Sequence, residues 1–210
     1  MNEYTTVKSE SSAEFIERKS KFIGYICPVQ TEDEAIEFVN KIRKKHPDAT
    51  HNVYAYLTRE GNKQRYSDDG EPQGTAGIPV LEILLKSGIT DCAVVVTRYF
   101  GGVLLGAGGL VRAYAHAAKL AVAAGEPVKM VTCYECDIVC DYSRYNMLQI
   151  LLSEHEAEIT DTQFTENIKI SFYIEADKFD ALCADLTEKT GGTVDVCKNS
   201  EKFMPIKIKI

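Results

Sequence analysis

No stretch of this chain is apolar for long enough to cross a bilayer as a helix, and the polar start MNEYTTVKSESS has no signal-peptide pattern. The seven cysteines are odd in number and follow no disulfide-framework spacing, so they read as reduced thiols and the chain as cytoplasmic. Positive charge is short: 24 Lys and Arg stand against 31 Asp and Glu, a net of -7, which excludes a protein that coats nucleic acid. Long linkers, low-complexity tracts and clear internal repeats are missing as well. The 210 residues therefore make one large domain or two small ones.

The charge deficit is uneven. Residues 138–210 carry eight Lys/Arg and thirteen Asp/Glu, a net of -5, whereas residues 1–137 stand near neutrality at -2. An anionic partner is expected on the N-terminal part. The C-terminal end keeps one local patch, KNSEKFMPIKIKI, with four lysines against one glutamate.

What is present begins with KFIGYICPV, a strand ended at Pro28, and a helix opened by the capping box Thr31-x-x-Glu34 and running to about residue 46. HNVYAYL alternates: Val53, Ala55 and Leu57 face one way, and Asn52, Tyr54 and Tyr56 the other, which predicts a half-buried strand with a polar, aromatic outer face. EGNKQRYSDDGEPQGTAG reads as a loop, PVLEILLKS as a short helix stopped at Gly88, and CAVVVTRYF as a strand buried on both faces. A glycine-rich loop, a helix to Ala124 and a strand near VKMVTCYE follow. Beyond them CDIVCDY, Ser143–Ala157, EITDTQF, IKISFYIEA, the helix from Asp177 to Gly191-Gly192 and TVDVCK give βαββαβ, the ferredoxin-like order. The fold class is α+β in two domains, 1–135 and 136–210.

Five glycines, Gly101, Gly102, Gly106, Gly108 and Gly109, fall between Arg98 and Arg112. The Walker spacing Gly101-x4-Gly106 is followed by Ala107-Gly108 where Lys-Ser/Thr is required, and Val111 occupies the third glycine position of a dinucleotide fingerprint. Neither motif is present. The physics of an anion site survives: glycines permit backbone amides to converge, a helix N-terminus lies behind them, and Arg112, His116 and Lys119 recur at i, i+4 and i+7. The opposing reading is a loop that lets a helix pack tightly on a sheet above a solvated basic stripe.

Asp68, Asp69 and Glu71 in SDDGEP offer hard oxygen ligands, and Mg²⁺ beside a phosphate loop would make a phosphoryl-transfer enzyme. Asp-Gly is also a turn signal, and one of these carboxylates paired with Arg98 would fix the glycine loop; that reading is preferred. Tyr54 and Tyr56 could stack bases, though strand tyrosines more often pack across strands. His51 suits a core or capping role. Cys133, Cys136 and Cys140 sit at odd strand spacings with no fourth ligand nearby, so no metal and no cofactor are expected.

Together HNVYAY, RYSDDGEPQGTAGIPVLEIL and VVVTRYFGGVLLGAGGLVRAYAHA resemble the Impact/YigZ family, over nearly the whole chain. The resemblance implies a first domain similar to the second domain of a small-subunit ribosomal protein, an α/β sandwich. It implies a second domain similar to the last domain of elongation factor G. Eukaryotic members regulate translation by competing for a protein activator of the starvation-responsive initiation-factor kinase, a partner not carried over to a two-domain chain. The expectation is a non-enzymatic, translation-associated protein contacting RNA, the ribosome or a regulatory protein through the glycine-rich face. The alternatives are a Mg-dependent phosphoryl-handling enzyme and a protein–protein adaptor.

Overall fold

The computed structural model describes residues 3–207, with side chains to Pro205, so residues 1, 2 and 208–210 and the side chains of 206 and 207 in the quoted terminal stretches lie outside the described residues. The chain divides into two compact units, one built on Tyr4–Lys129 and the other on Met130–Pro205.

The N-terminal unit holds β1 (Tyr4–Val7), β2 (Ser11–Glu17), β3 (Ser20–Pro28), α1 (Glu32–Lys45), β4 (His51–Thr58), β5 (Lys63–Ser67), α2 (Gly77–Lys86), β6 (Cys92–Tyr99) and α3 (Ala107–Ala124). One sheet runs β2-β3-β6-β4-β5, and every neighbouring pair in it is antiparallel. The uninterrupted apolar run of β6 lies at its centre, where both faces are covered. Val94 and Val96 join Phe22, Ile26, Val53, Leu84 and Tyr114 under α2 and α3. Ala93 and Val95 join Tyr25, Phe38, Ile42 and Tyr56 under α1. Helix α1 starts where its capping box places it: the Glu34 amide donates to Thr31 Oγ1 at 3.2 Å, and the Glu34 carboxylate accepts from the Gln30 amide at 2.6 Å.

The second unit is formed on β7 (Pro127–Cys140), α4 (Tyr145–Glu154), β8 (Glu158–Phe164), β9 (Ile168–Glu175), α5 (Phe179–Thr190) and β10 (Val196–Lys207). Strand β7 pairs with β9 and β9 with β8, both antiparallel, while β10 also pairs with β7. The order β10-β7-β9-β8 is that of a split βαβ fold. Residues 168, 170, 172 and 174 of β9 alternate into a core shared with Leu148, Leu151 and Leu152 of α4 and Leu182 and Leu186 of α5. In this unit Lys198 lies over the Tyr134 ring at 3.1 Å, and Lys202 pairs with Glu135 at 3.7 Å. The described lysines of the C-terminal patch are thus tied to their own unit.

Several expectations change. Strands β1, β2 and β5 are additional, and the predicted strands near VKMVTCYE and CDIVCDY are one strand, because no turn residue separates them. Cys133, Cys136 and Cys140 all lie on β7 and are buried, and burial pushes the thiols of Cys133 and Cys136 up to about 11. Asp177 does not cap α5, whose N-cap is Lys178.

The fit of α3 on the sheet rests on Gly24 of β3. A Cβ there would stand 2.5 Å from the Ala117 carbonyl oxygen, a backbone atom of α3 that cannot swing aside. Gly24→Ala is expected to cost about 1–3 kcal/mol by forcing the helix off the sheet. Urea unfolding checks this, and an unchanged midpoint would contradict it.

Candidate functional site

Register places the site. Arg98, near the end of β6, stands opposite Phe22 of β3 and His51 of β4, on the sheet face that carries Val94 and Val96. Arg98 is therefore beneath α3 rather than in solvent, and it is only 5% exposed. A guanidinium stays charged at any relevant pH, so its burial requires an anion.

The acidic loop supplies it. Asp69 (φ 46°) and Gly70 (φ 88°) turn the chain left-handed, closed by the Glu71 amide donating to the Asp68 carbonyl at 3.0 Å. This turn delivers the Glu71 carboxylate to Arg98: Nη1 donates to Oε1 at 2.5 Å. Tyr114 of α3 donates its hydroxyl to the same oxygen at 2.7 Å, and His51 Nε2 lies 3.7 Å from it. Burial, then the neighbouring Glu71 charge, push the Tyr114 phenol well above the usual range, so it keeps the proton it donates. Arg98 Nη2 also reaches Ser20 Oγ at 3.4 Å, and Ser20 Oγ accepts from the Gly101 amide at 3.2 Å. The guanidinium carbon lies 5.4 Å from the Phe22 ring centre and 5.5 Å from that of Phe100, while Nε makes no hydrogen bond among the described residues.

The other acidic residues are turned elsewhere. Asp68 accepts from the amides of Gly74 (2.8 Å), Ala76 (3.1 Å) and Gly77 (2.8 Å), and so caps α2 from outside the helix. Asp69 accepts from Arg43 Nη2 at 2.9 Å and from the Asn52 amide at 2.6 Å, while its carbonyl oxygen meets His51 Nδ1 at 2.8 Å. The three carboxylates point to three separate sets of donors and do not converge as ligands of one ion. The magnesium reading of Asp68, Asp69 and Glu71 is corrected to the turn-plus-ion-pair reading, with Glu71 as the partner of Arg98.

Arg98 itself is corrected from an anion-site residue to the internal half of that pair. Tyr54 and Tyr56 are corrected too. Helix α1 covers this side of β4, so Tyr56 is 3% exposed and donates to Glu32 at 2.6 Å, and the two rings lie 6.2 Å apart, nearly parallel to each other. No open stacking platform results.

The glycines divide by role. Gly101 permits a close approach: a Cβ there would sit 2.0 Å from the backbone of Lys19. Gly109 is tight against Leu105, at 2.9 Å for an added Cβ. Gly106 takes φ 73° at the head of α3, and Gly102, Gly106 and Gly108 are exposed. Outward from this frame the loop shows Phe100, Val103 and Leu104, the last 81% exposed, followed by Val111, Arg112, His116 and Lys119 on the exposed side of α3.

Residue pattern alone does not reveal the parts played by Ser20, Tyr114, Arg43 and Asn52. Of these, Tyr114 lies on the buried side of α3 among alanines, where a hydroxyl requires an internal acceptor.

Comparison with known proteins follows this geometry. The Impact N-terminal domain matches residues 18–122, and a domain of unknown function, DUF1949, matches residues 138–193. IMPACT family member YvyE of Bacillus subtilis is 38% identical over 197 residues, covering 93% of this chain and 91% of that protein. IMPACT family member YigZ of Escherichia coli is 31% identical over 182 residues, 85% of this chain and 89% of that one. Protein IMPACT of Rattus norvegicus is 35% identical over 98 residues, 45% of this chain and 31% of that one. A crystal structure of a hypothetical protein superposes with a TM-score of 0.60 at 28% identity, covering 95% of this chain and 98% of that one.

Removing one member of a buried ion pair leaves the other charge stranded, at about 3–5 kcal/mol. Glu71→Gln is therefore expected to destabilise by about that amount, and Glu71→Gln with Arg98→Met by less than Glu71→Gln alone. Denaturant unfolding of both variants checks this. A double variant less stable than the single would show that the pair is not the source of the loss.

Proposed function

The chain belongs to the IMPACT family, and from that membership we propose that it is a non-enzymatic binding protein of the translation apparatus. It contacts RNA or the ribosome through the exposed loop Phe100–Gly106 and the basic side of α3. One observation carries the reading: within the family signature, Asp68, Asp69 and Glu71 are bonded inward, while His116 stands with the cationic residues on the exposed side of α3. Asp68, Asp69, Glu71, Arg98 and Tyr114 all hold the frame, whereas Leu104, Arg112 and Lys119 stand outward with nothing to build. A site arranged for turnover leaves its acid, base or ligand groups facing the substrate space. Here that space is bordered by apolar and cationic side chains.

The translation setting rests on the family resemblance, and the polarity of the face supports it. Arg112, His116 and Lys119 place cationic and titratable groups in one stripe on a unit whose charge is near balance, in a chain whose second part is more acidic. Leu104, an aliphatic side chain in solvent, favours a protein surface as part of the target, which keeps the adaptor reading as a second form of the same proposal. Co-sedimentation with ribosomes that survives nuclease treatment would select that form.

Arg112→Glu with Lys119→Glu is expected to weaken co-sedimentation with ribosomes or RNA and to flatten its dependence on salt by about one unit of slope for each phosphate no longer neutralised. Leu104→Ser, which removes the apolar contact and adds no charge, should weaken it without changing the slope. If added salt and both substitutions leave sedimentation unchanged, the proposal fails.

A further inference from the structure

We propose that the cleft between the β2–β3 turn and α3 is a binding site for a single phosphate group. The cleft encloses about 260 Å³ and is walled by Phe15, Arg18, Leu105, Gly109, Arg112 and His116, with Glu17 at its border. It deepens the binding reading above, and rests on that reading only for the identity of the polymer that carries the phosphate.

Four features carry the assignment. Arg18 and Arg112 line the same cavity, and among the described residues neither forms an ion pair with an acidic side chain. Elsewhere in this unit Arg43, Arg59 and Arg98 each meet a carboxylate at 2.9 Å or closer. An anion in the cleft would face both guanidiniums at once.

The walls are fixed in advance. Arg18 (φ 47°) and Lys19 (φ 67°) form a left-handed turn, and Gly101 lets the Lys19 backbone press against the glycine loop, so the position of Arg18 is set by packing. The Arg112 side chain folds back toward the start of α3: its Nη1 lies 3.7 Å from the point that a Cβ on Gly108 would occupy. The guanidinium thus lies beside the first turn of the helix, where the dipole is positive.

The remaining lining sets the class of ligand. The edge-to-face pair of Phe15 and His116, with centroids 4.7 Å apart, makes an aromatic wall whose imidazole can donate a hydrogen bond. Glu17 contributes one negative charge, which disfavours a densely charged di- or triphosphate relative to a monoester or diester. A cavity of this volume admits one phosphate and part of the group attached to it.

Titration with inorganic phosphate, followed by amide chemical shifts in the full chain, tests the site. Shifts centred on Gly108, Gly109 and Arg112, saturating in the millimolar range, are expected. Arg18→Ala and Arg112→Ala should each weaken binding roughly tenfold or more, with Arg112→Lys retaining part of it because a point charge replaces a planar fork. Both side chains are exposed, so the variants should keep the wild-type unfolding midpoint.

A short single-stranded RNA and a ribose monophosphate then separate the sources. RNA shifting the same amides at lower concentration assigns the site to a backbone phosphate. A monophosphate that binds while RNA does not assigns it to a small phosphorylated molecule, which upholds the cleft and removes RNA from the reading above. No shift of these amides with any of the three overturns the cleft, even where ribosome co-sedimentation through Leu104 and Lys119 persists.

Discussion

The buried pair of Glu71 and Arg98 is the constraint on which the N-terminal unit's loop end depends. An arginine placed near the end of the central strand and roofed by a helix cannot shed its charge, so a carboxylate must reach it. Satisfying that requirement ties four pieces of chain together. The acidic loop brings Glu71, α3 brings Tyr114, β3 brings Ser20, and Ser20 holds the Gly101 amide at the start of the glycine loop. Each bond here is a hydrogen bond to a charged group or to a neighbour of one, where geometry counts for most because little water enters to substitute.

Glycine in this sequence answers to separate requirements. At Gly24 and Gly101 the backbone of one element runs against the backbone of another, and any Cβ would be inside the van der Waals radius of its neighbour. Those two positions answer to packing. Gly106 answers to conformation, since the chain must turn through φ 73° to enter α3. Glycines dense enough to suggest a nucleotide loop therefore include several that the frame requires on its own account. An anion site, where there is one, is built from the arginines beside them.

Much of this was legible in the residues. The uninterrupted CAVVVTRY gave a central strand, the Thr31–Glu34 box gave the start of α1, and the split order of the second unit followed from its periodicities. The pairing of Arg98 with one of three nearby carboxylates was also readable, although which one depended on a left-handed turn at Asp69-Gly70. What escaped lacked a local signal. The β2–β3 turn uses Arg18-Lys19 at positive φ with no glycine or asparagine, so β2 carried no hairpin mark. Tyr56 alternates as an outer-face residue, and only the tertiary placement of α1 covers it. The exposure of Leu104 is likewise a tertiary fact, because an aliphatic residue in a loop is read by default as packed.

The position of the exposed face follows from topology. With α1 on one side of the sheet and α2 and α3 on the other, neither sheet face is free to meet a partner. The loops at strand ends and the outer sides of the helices are what a partner can reach. The register brings the start of β3 beside the end of β6, and the start of β4 beside Arg98, so the β2–β3 turn, the acidic loop and the glycine loop gather at the same end of the sheet. Loops held there by buried bonds are ordered in advance, and a partner that docks on them, as proposed, would lose little conformational entropy in fixing them. The inward polar groups and the outward apolar and cationic ones are two halves of one device: the first set holds the second in place. Substitutions in the frame are expected to act on stability first and on binding through it, whereas those on the face act on binding alone.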